Sequence, residues 1–121
     1  MIQAELNTEY YKEMLKKDRL IPVFIQGEFK GLITFFIGDE SEEDRYIRDD
    51  MWSVVEENNP NGEVLYIDQF LSDHDVKNAR WGVYFWNKLI IYIKERFPQI
   101  KIIRWNRFKN NKVNTYRKRI R

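Results

Sequence analysis

The sequence predicts an α/β (α+β) fold: an antiparallel hairpin near the N-terminus, then a parallel β-α-β unit, in one mixed sheet. Three observations predict it. Two apolar runs, Val23–Ile25 and Leu32–Ile37, flank a glycine-bearing connection at Gln26–Gly31, the pattern of paired strands. Residues Val64–Leu71 read as a strand and Ala79–Phe97 as the longest helix, stopped by Pro98. Ile100–Trp105 supplies a further short strand, and such a strand–helix–strand unit closes by a right-handed crossover onto a parallel pair.

In chain order, Asn7 or Thr8 can cap a helix over Glu9–Lys16, whose early acid and late lysine suit the helix dipole. The hairpin follows Pro22. Seven carboxylates (Asp39, Glu40, Glu42, Glu43, Asp44, Asp49, Asp50) then mark a loop leading into a helix over 46–57. Asn58–Gly62 reads as a chain reversal, since each of its residues favours turn geometry. Strand alternation over 64–71 sets Val64, Tyr66, Asp68 and Phe70 on one side and Leu65, Ile67, Gln69 and Leu71 on the other. Both sides are largely apolar, so the strand is central and covered on both faces. The long helix is apolar nearly all round and reads as a core helix. From Asn106 onward the chain is polar and basic, and residues 107–121 are expected as a C-terminal tail.

A chain of 121 residues with 43% hydrophobic and 16% aromatic side chains is expected as a single globular domain spanning 1–121, not a disordered segment. Net charge is +2 overall and +8 over Ile102–Arg121, which leaves −6 on residues 1–101. Such asymmetry can attract phosphate groups, and it can equally satisfy the chain's own acidic segment. The absence of cysteine excludes disulfides, thiolate metal sites and cysteine nucleophiles. No secretory pattern and no uncharged run long enough to span a bilayer is present, so the expectation is a soluble, cytoplasmic protein without a membrane partner.

Several residues can carry chemistry. Asp68, between Tyr66 and Phe70 in the apolar strand, would be partly desolvated, which raises a carboxyl pKa and suits proton transfer; alternatively it pairs with an arginine on the neighbouring strand, such as Arg104. His74 follows the central strand, where open α/β sheets bind ligands, between Asp73 and Asp75; it is a candidate base or simply solvated, and a lone histidine builds no multi-histidine metal site. Lys77 and Arg80 stand at a helix start whose free N–H groups attract anions, either a ligand phosphate or the Asp39–Asp50 segment. The basic C-terminus could contact nucleic-acid phosphates through Arg104, Arg107, Lys109, Lys112, Arg117, Lys118, Arg119 and Arg121, with Trp105, Phe108 and Tyr116 as stacking platforms.

The order of elements resembles the GNAT fold of acetyltransferases on a shortened plan. That family carries an R/Q-x-x-G-x-G/A signature at the strand-to-helix turn, and Lys77–Asn78–Ala79–Arg80–Trp81–Gly82 matches its basic first position and final glycine, with Arg80 in place of the first glycine. The resemblance implies acyl-CoA held at Lys77, Asn78, Arg80 and Gly82, where Arg80 either blocks a pyrophosphate or contacts it. It also implies an asparagine followed by a tyrosine that protonates the departing thiolate, for which Asn110 and Tyr116 are a compressed counterpart; Tyr116 can equally pack the tail onto the body. Gly62–Asp68, Phe97–Pro98 and Ile103–Arg107 further resemble the toxin-activating lysine acyltransferases, whose catalytic aspartate would correspond to Asp68. No histidine precedes His74, so the histidine that works with that aspartate has no counterpart. In style the sequence is also similar to small proteins of phages and mobile elements.

Three functions follow as expectations. The first is an N-acyltransferase using acyl-CoA or an acyl-carrier protein as donor and a protein or small amine as acceptor. The second is a catalytically inactive GNAT-like module that binds protein, and the third a small nucleic-acid-binding protein.

Overall fold

Leu20–Ile25 (β1) and Glu28–Gly38 (β2) pair antiparallel across Gln26 and Gly27, whose φ values are 53° and 82°. Two positive φ angles give the turn that matches the right-handed twist of its strands. The connection is therefore tighter than Gln26–Gly31. A computed structural model of the chain describes residues 8–47, 56–72, 79–109 and 112–120. Helix α1 (Thr8–Lys16) precedes the hairpin, and a 3-10 turn (Glu40–Glu42) and helix α2 (Glu43–Ile47) follow it. The chain continues through β3 (Val64–Ser72), α3 (Ala79–Arg96), β4 (Ile102–Lys109) and β5 (Lys112–Arg119). One five-stranded sheet results, ordered β1-β2-β3-β4-β5, with β3 and β4 parallel and the other neighbours antiparallel.

Four expectations change. Residues 107–121 supply the end of β4 and all of β5, paired from Ile102 with Arg119 to Lys109 with Lys112, so the basic run is an edge strand and not a tail. Charges that resemble a solvated arm are also the charges that edge strands carry. The acidic connector turns helical earlier than 46–57, because the Asp39 carboxylate accepts the Ser41 N–H at 2.9 Å and caps the turn there; residues 48–55 lie outside the described residues. Third, the strict alternation of β3 breaks. Thr34 pairs with Gln69 but Phe35 pairs with Ile67, which makes Asp68 a β-bulge residue. Phe70 consequently packs on Phe85 of α3, at 5.0 Å between rings, while the Gln69 side chain faces α1 and accepts from the Tyr11 hydroxyl at 3.1 Å. Fourth, α3 buries one face only. Phe85, Leu89 and Ile93 lie on the sheet, whereas Val83 and Ile91 are exposed.

Packing follows from these faces. Under α3 lie Ile21, Val23 and Ile25 of β1, Ile33, Phe35 and Ile37 of β2, Leu65 and Ile67 of β3, and Ile103 of β4. The opposite face carries two smaller clusters, Met14, Leu20 and Leu32 beneath α1 and Phe36, Tyr46, Val64, Tyr66 and Ile102 beneath α2. Asn58, from the predicted chain reversal, joins β2 to the end of α1: its Oδ1 accepts the Ile37 N–H at 2.9 Å and its Nδ2 donates to the Asp18 carbonyl at 3.0 Å. At the rim, β1 carries exposed Pro22 and a register shift between Val23 and Phe24.

Gly62 approaches β2 so closely that a Cβ there would lie 2.5 Å from the Gly38 carbonyl oxygen. Backbone on both sides leaves nothing flexible to yield. Gly62→Ala is expected to destabilise the protein by about 1–3 kcal/mol, an overpacking cost, read as a lower midpoint in chemical denaturation.

Candidate functional site

Pairing between β3 and β4 covers Val64–Tyr66 against Ile102–Arg104 and then stops, although both strands continue. Beyond that point they diverge beside the N-terminal half of α3, and the gap is a groove of about 690 Å³ lined by Ile67, Asp68, Phe70, Trp86, Trp105, Asn106 and Lys118. Its wall is aromatic. Trp86 meets Trp105 edge-on at 5.1 Å, and Trp105 stacks on Tyr116 of β5 at 5.6 Å with 16° between planes. Lys118 pairs in register with Ile103, which sets it on the α3 side of the sheet, where it is the one cation among the described groove residues.

Asp68 links this groove to the other face. Its side chain is 1% exposed although the residue as a whole is half-buried, so the exposed atoms are main-chain. Asp68 thus lines the groove through its main chain while the carboxylate turns away from solvent. That carboxylate lies 3.4 Å from Arg19, which is fully buried at the start of β1. Arg19 is held in turn, its Nε donating to the Phe35 carbonyl at 3.0 Å and its NH1 to the Glu56 carbonyl at 2.8 Å, with its guanidinium 5.4 Å above the Phe36 ring. The second carboxylate oxygen, Oδ1, is buried without a hydrogen-bond partner among the described residues. Burial raises the Asp68 carboxyl from 3.8 to about 7, and Arg19 offsets only part of that rise.

On the same face, Tyr46 of α2 is almost wholly buried, and its hydroxyl donates to the Ile67 carbonyl at 2.5 Å, with the Arg104 carbonyl at 3.5 Å. Arg104 pairs with Glu43, and Arg117 of β5 reaches Glu40 at 3.3 Å. The basic strand pair therefore meets the acidic segment of its own chain.

The expected pairing of Asp68 with Arg104 is replaced by Asp68 with Arg19. Residue Arg104 faces the α2 side, where Glu43 is nearer, and the bulge directs Asp68 toward the start of β1. Tyr116 lies on a strand, not after one, and reaches the groove only through its stacking on Trp105. Arg80 and Gly82 fall in the first turn of α3, but their side chains lie outside the described residues, as do His74, Lys77, Asn78, Asn110 and Arg121 entirely. The strand positions of Arg107, Lys109 and Lys112 are described without their side chains, whereas Lys118 and Arg119 are exposed on β5. Arg19 and Tyr46 went unnoticed in the sequence. A lone arginine at the head of the apolar run Leu20–Ile25 was the one signal for the former, and nothing distinguishes Tyr46 within its acidic segment. Among the described residues no cluster of histidine, aspartate and glutamate suits a metal ion, and no helix is long and apolar enough to cross a membrane.

No protein-family model and no curated protein matches the chain. Solved structures do. The loading GNATL domain of CurA from Lyngbya majuscula superposes with a TM-score of 0.58 at 12% identity, over 87% of this chain and 52% of that one. A GNAT-like decarboxylase, GphF, in complex with isobutyryl-CoA gives 0.54 at 16% identity, over 85% and 52%. An assigned acetyltransferase from Staphylococcus aureus Mu50 gives 0.53 at 17% identity, over 92% and 78%. This chain spans about half the length of the first two. Likeness at such identities concerns architecture, and the architecture here, an antiparallel hairpin followed by a parallel β-α-β unit in one mixed sheet, is a GNAT-like fold.

Proposed function

We propose that the protein is an acyltransferase-like binder of pantetheine thioesters, with acyl-CoA or a carrier-borne acyl group seated between β3 and β4. The groove carries this reading, since about 690 Å³ with aromatic walls suits a narrow, partly apolar arm. Ile67, Phe70, Trp86 and Trp105 would hold the arm, and the main chain around Asp68 offers it hydrogen-bonding groups. Lys118 at the groove and the start of α3, with Lys77, Asn78, Arg80 and Gly82, would meet the phosphates. A bound thioester supplies an acyl group activated for transfer to an amine, the C–S bond breaking as the C–N bond forms.

Asp68 is the chain's proton acceptor in this reading. Its carboxylate lies across the sheet from the arm, and a pKa near 7 suits it to accept a proton from the amine as it attacks at neutral pH. Tyr116 remains the candidate donor to the departing thiolate, and His74 a candidate base. One observation favours a second reading, a GNAT-like protein-binding module without turnover: the Asp68 carboxylate is 1% exposed and engaged by Arg19.

Two experiments decide between these. Acetyl-CoA at a hundred times its Kd is expected to add about 2.7 kcal/mol of stability, a rise in Tm of about 10 °C for a domain of this size. No shift at millimolar acetyl-CoA would remove the thioester from the reading. The pH response tests Asp68. Its carboxyl is raised from 3.8 to about 7 on folding, so its favourable contribution is fully present below pH 3.8 and is lost as pH rises to about 7. Over that window the stability of Asp68→Asn relative to wild type should climb, and any acyl transfer should rise through about pH 7 in wild type and vanish in the variant. Transfer that persists in Asp68→Asn would exclude the carboxylate as base.

A further inference from the structure

Backbone direction in β4 can be read from its neighbours. Ile102 N–H donates to the Glu63 carbonyl at 3.2 Å, on the β3 side, and Ile120 N–H donates to the Lys101 carbonyl at 2.8 Å, so within β4 the odd-numbered positions from Ile103 onward turn their backbone groups toward β5. Alternation then turns the even-numbered ones, Ile102, Arg104 and Asn106, toward β3. The Arg104 carbonyl agrees, since it lies 3.5 Å from a hydroxyl that also contacts the Ile67 carbonyl of β3.

Evenly spaced rungs join a parallel pair. The three pairs from Val64 with Ile102 to Tyr66 with Arg104 fix their phase, and one further rung would bring the Asn106 N–H to the Ile67 carbonyl. The pairing stops before that rung, and the Ile67 carbonyl receives the Tyr46 hydroxyl at 2.5 Å. Tyr46 is 2% exposed, and its ring packs 5.1 Å from that of Tyr66, so α2 holds the hydroxyl in place. Asn106 is left lining the groove.

The geometry points to Tyr46 as a wedge: its hydroxyl substitutes for the Asn106 N–H at the Ile67 carbonyl, keeps β3 and β4 apart, and leaves that N–H to bind a carbonyl oxygen of an extended, amide-bearing ligand in the groove. Tyr46 is a positioning residue, for it touches the strands and not the ligand. The wedge follows from the fold alone, whereas its ligand rests on the thioester reading above. Without the hydroxyl the Ile67 carbonyl loses its donor, and the nearest replacement is the Asn106 N–H itself. Closing that rung narrows the groove.

Residue-resolved hydrogen exchange on the full chain tests this. In the free wild-type protein the Asn106 amide is expected to exchange at least about tenfold faster than those of Ile102 and Arg104, which lie within the paired stretch. Protection of Asn106 equal to theirs overturns the wedge without any variant. Tyr46→Phe should slow Asn106 exchange and weaken acetyl-CoA binding by about tenfold, the effect of one hydrogen bond. Tyr66→Phe is the control, because it removes a neighbouring hydroxyl that donates to the Asp39 carbonyl at 2.6 Å, away from the divergence. It should lower stability and leave Asn106 exchange and acetyl-CoA affinity unchanged. Unchanged Asn106 exchange in Tyr46→Phe, or equal effects of the two variants on it, overturns the proposal. A thermal shift with acetyl-CoA that leaves Asn106 exchange untouched overturns the ligand half. Absence of any thermal shift instead removes the thioester reading, and the free-protein exchange still judges the wedge.

Discussion

Three residue pairs join β3 to β4, and the rest of the molecule is arranged around the place where that parallel ladder stops. On one side of the stop α3 supplies Phe85, Leu89 and Ile93 to a shared core, so the strands remain bound to one sheet while their far ends separate. On the other side α2 supplies a hydroxyl to the Ile67 carbonyl, just past the last pair, within 3.5 Å of the Arg104 carbonyl of that pair. A parallel ladder that ends inside a protein exposes donors and acceptors that must find partners. Here the Ile67 carbonyl finds one in Tyr46.

The bulge at Asp68 belongs to the same arrangement. An extra residue on β3 lets Ile67 and Phe70 both face α3 although they are three positions apart, and it turns the intervening carboxylate to the α1 side. A buried carboxylate persists mainly when it is paired. Arg19 meets that requirement, and Arg19 is itself held by two backbone carbonyls, so the pair also ties β1, β2 and β3 to the segment at Glu56. The contacts of Arg104 with Glu43 and of Arg117 with Glu40 similarly answer the charge asymmetry of the chain from within.

Most of the architecture was legible in the sequence, because apolar periodicity and turn chemistry report local structure directly. The hairpin, the β3-α3-β4 unit and the parallel pairing all follow from such signals, and Asp68 stood out as a carboxylate within an apolar run. What escaped notice depended on tertiary register. No local signal in Ile67–Asp68–Gln69 announces a bulge, since the extra residue is defined only by its pairing with Thr34 and Phe35. The strand character of Lys112–Arg119 was hidden by its charge, whose partners at Glu40 and elsewhere lie far away in the chain. Arg19 and Tyr46 are ordinary residues locally, and their importance comes from what the fold sets beside them.

The two rims of the sheet have a bearing on behaviour at high concentration. Pro22, exposed on β1, offers no N–H to an incoming strand, and the register shift beside it bends the rim out of line. At the opposite rim, β5 would confront a second copy of itself with Arg117, Lys118 and Arg119 facing like charges. Growth by strand addition is thereby discouraged at both ends, which leaves a groove-bearing sheet able to hold its middle open without inviting its own kind to stack.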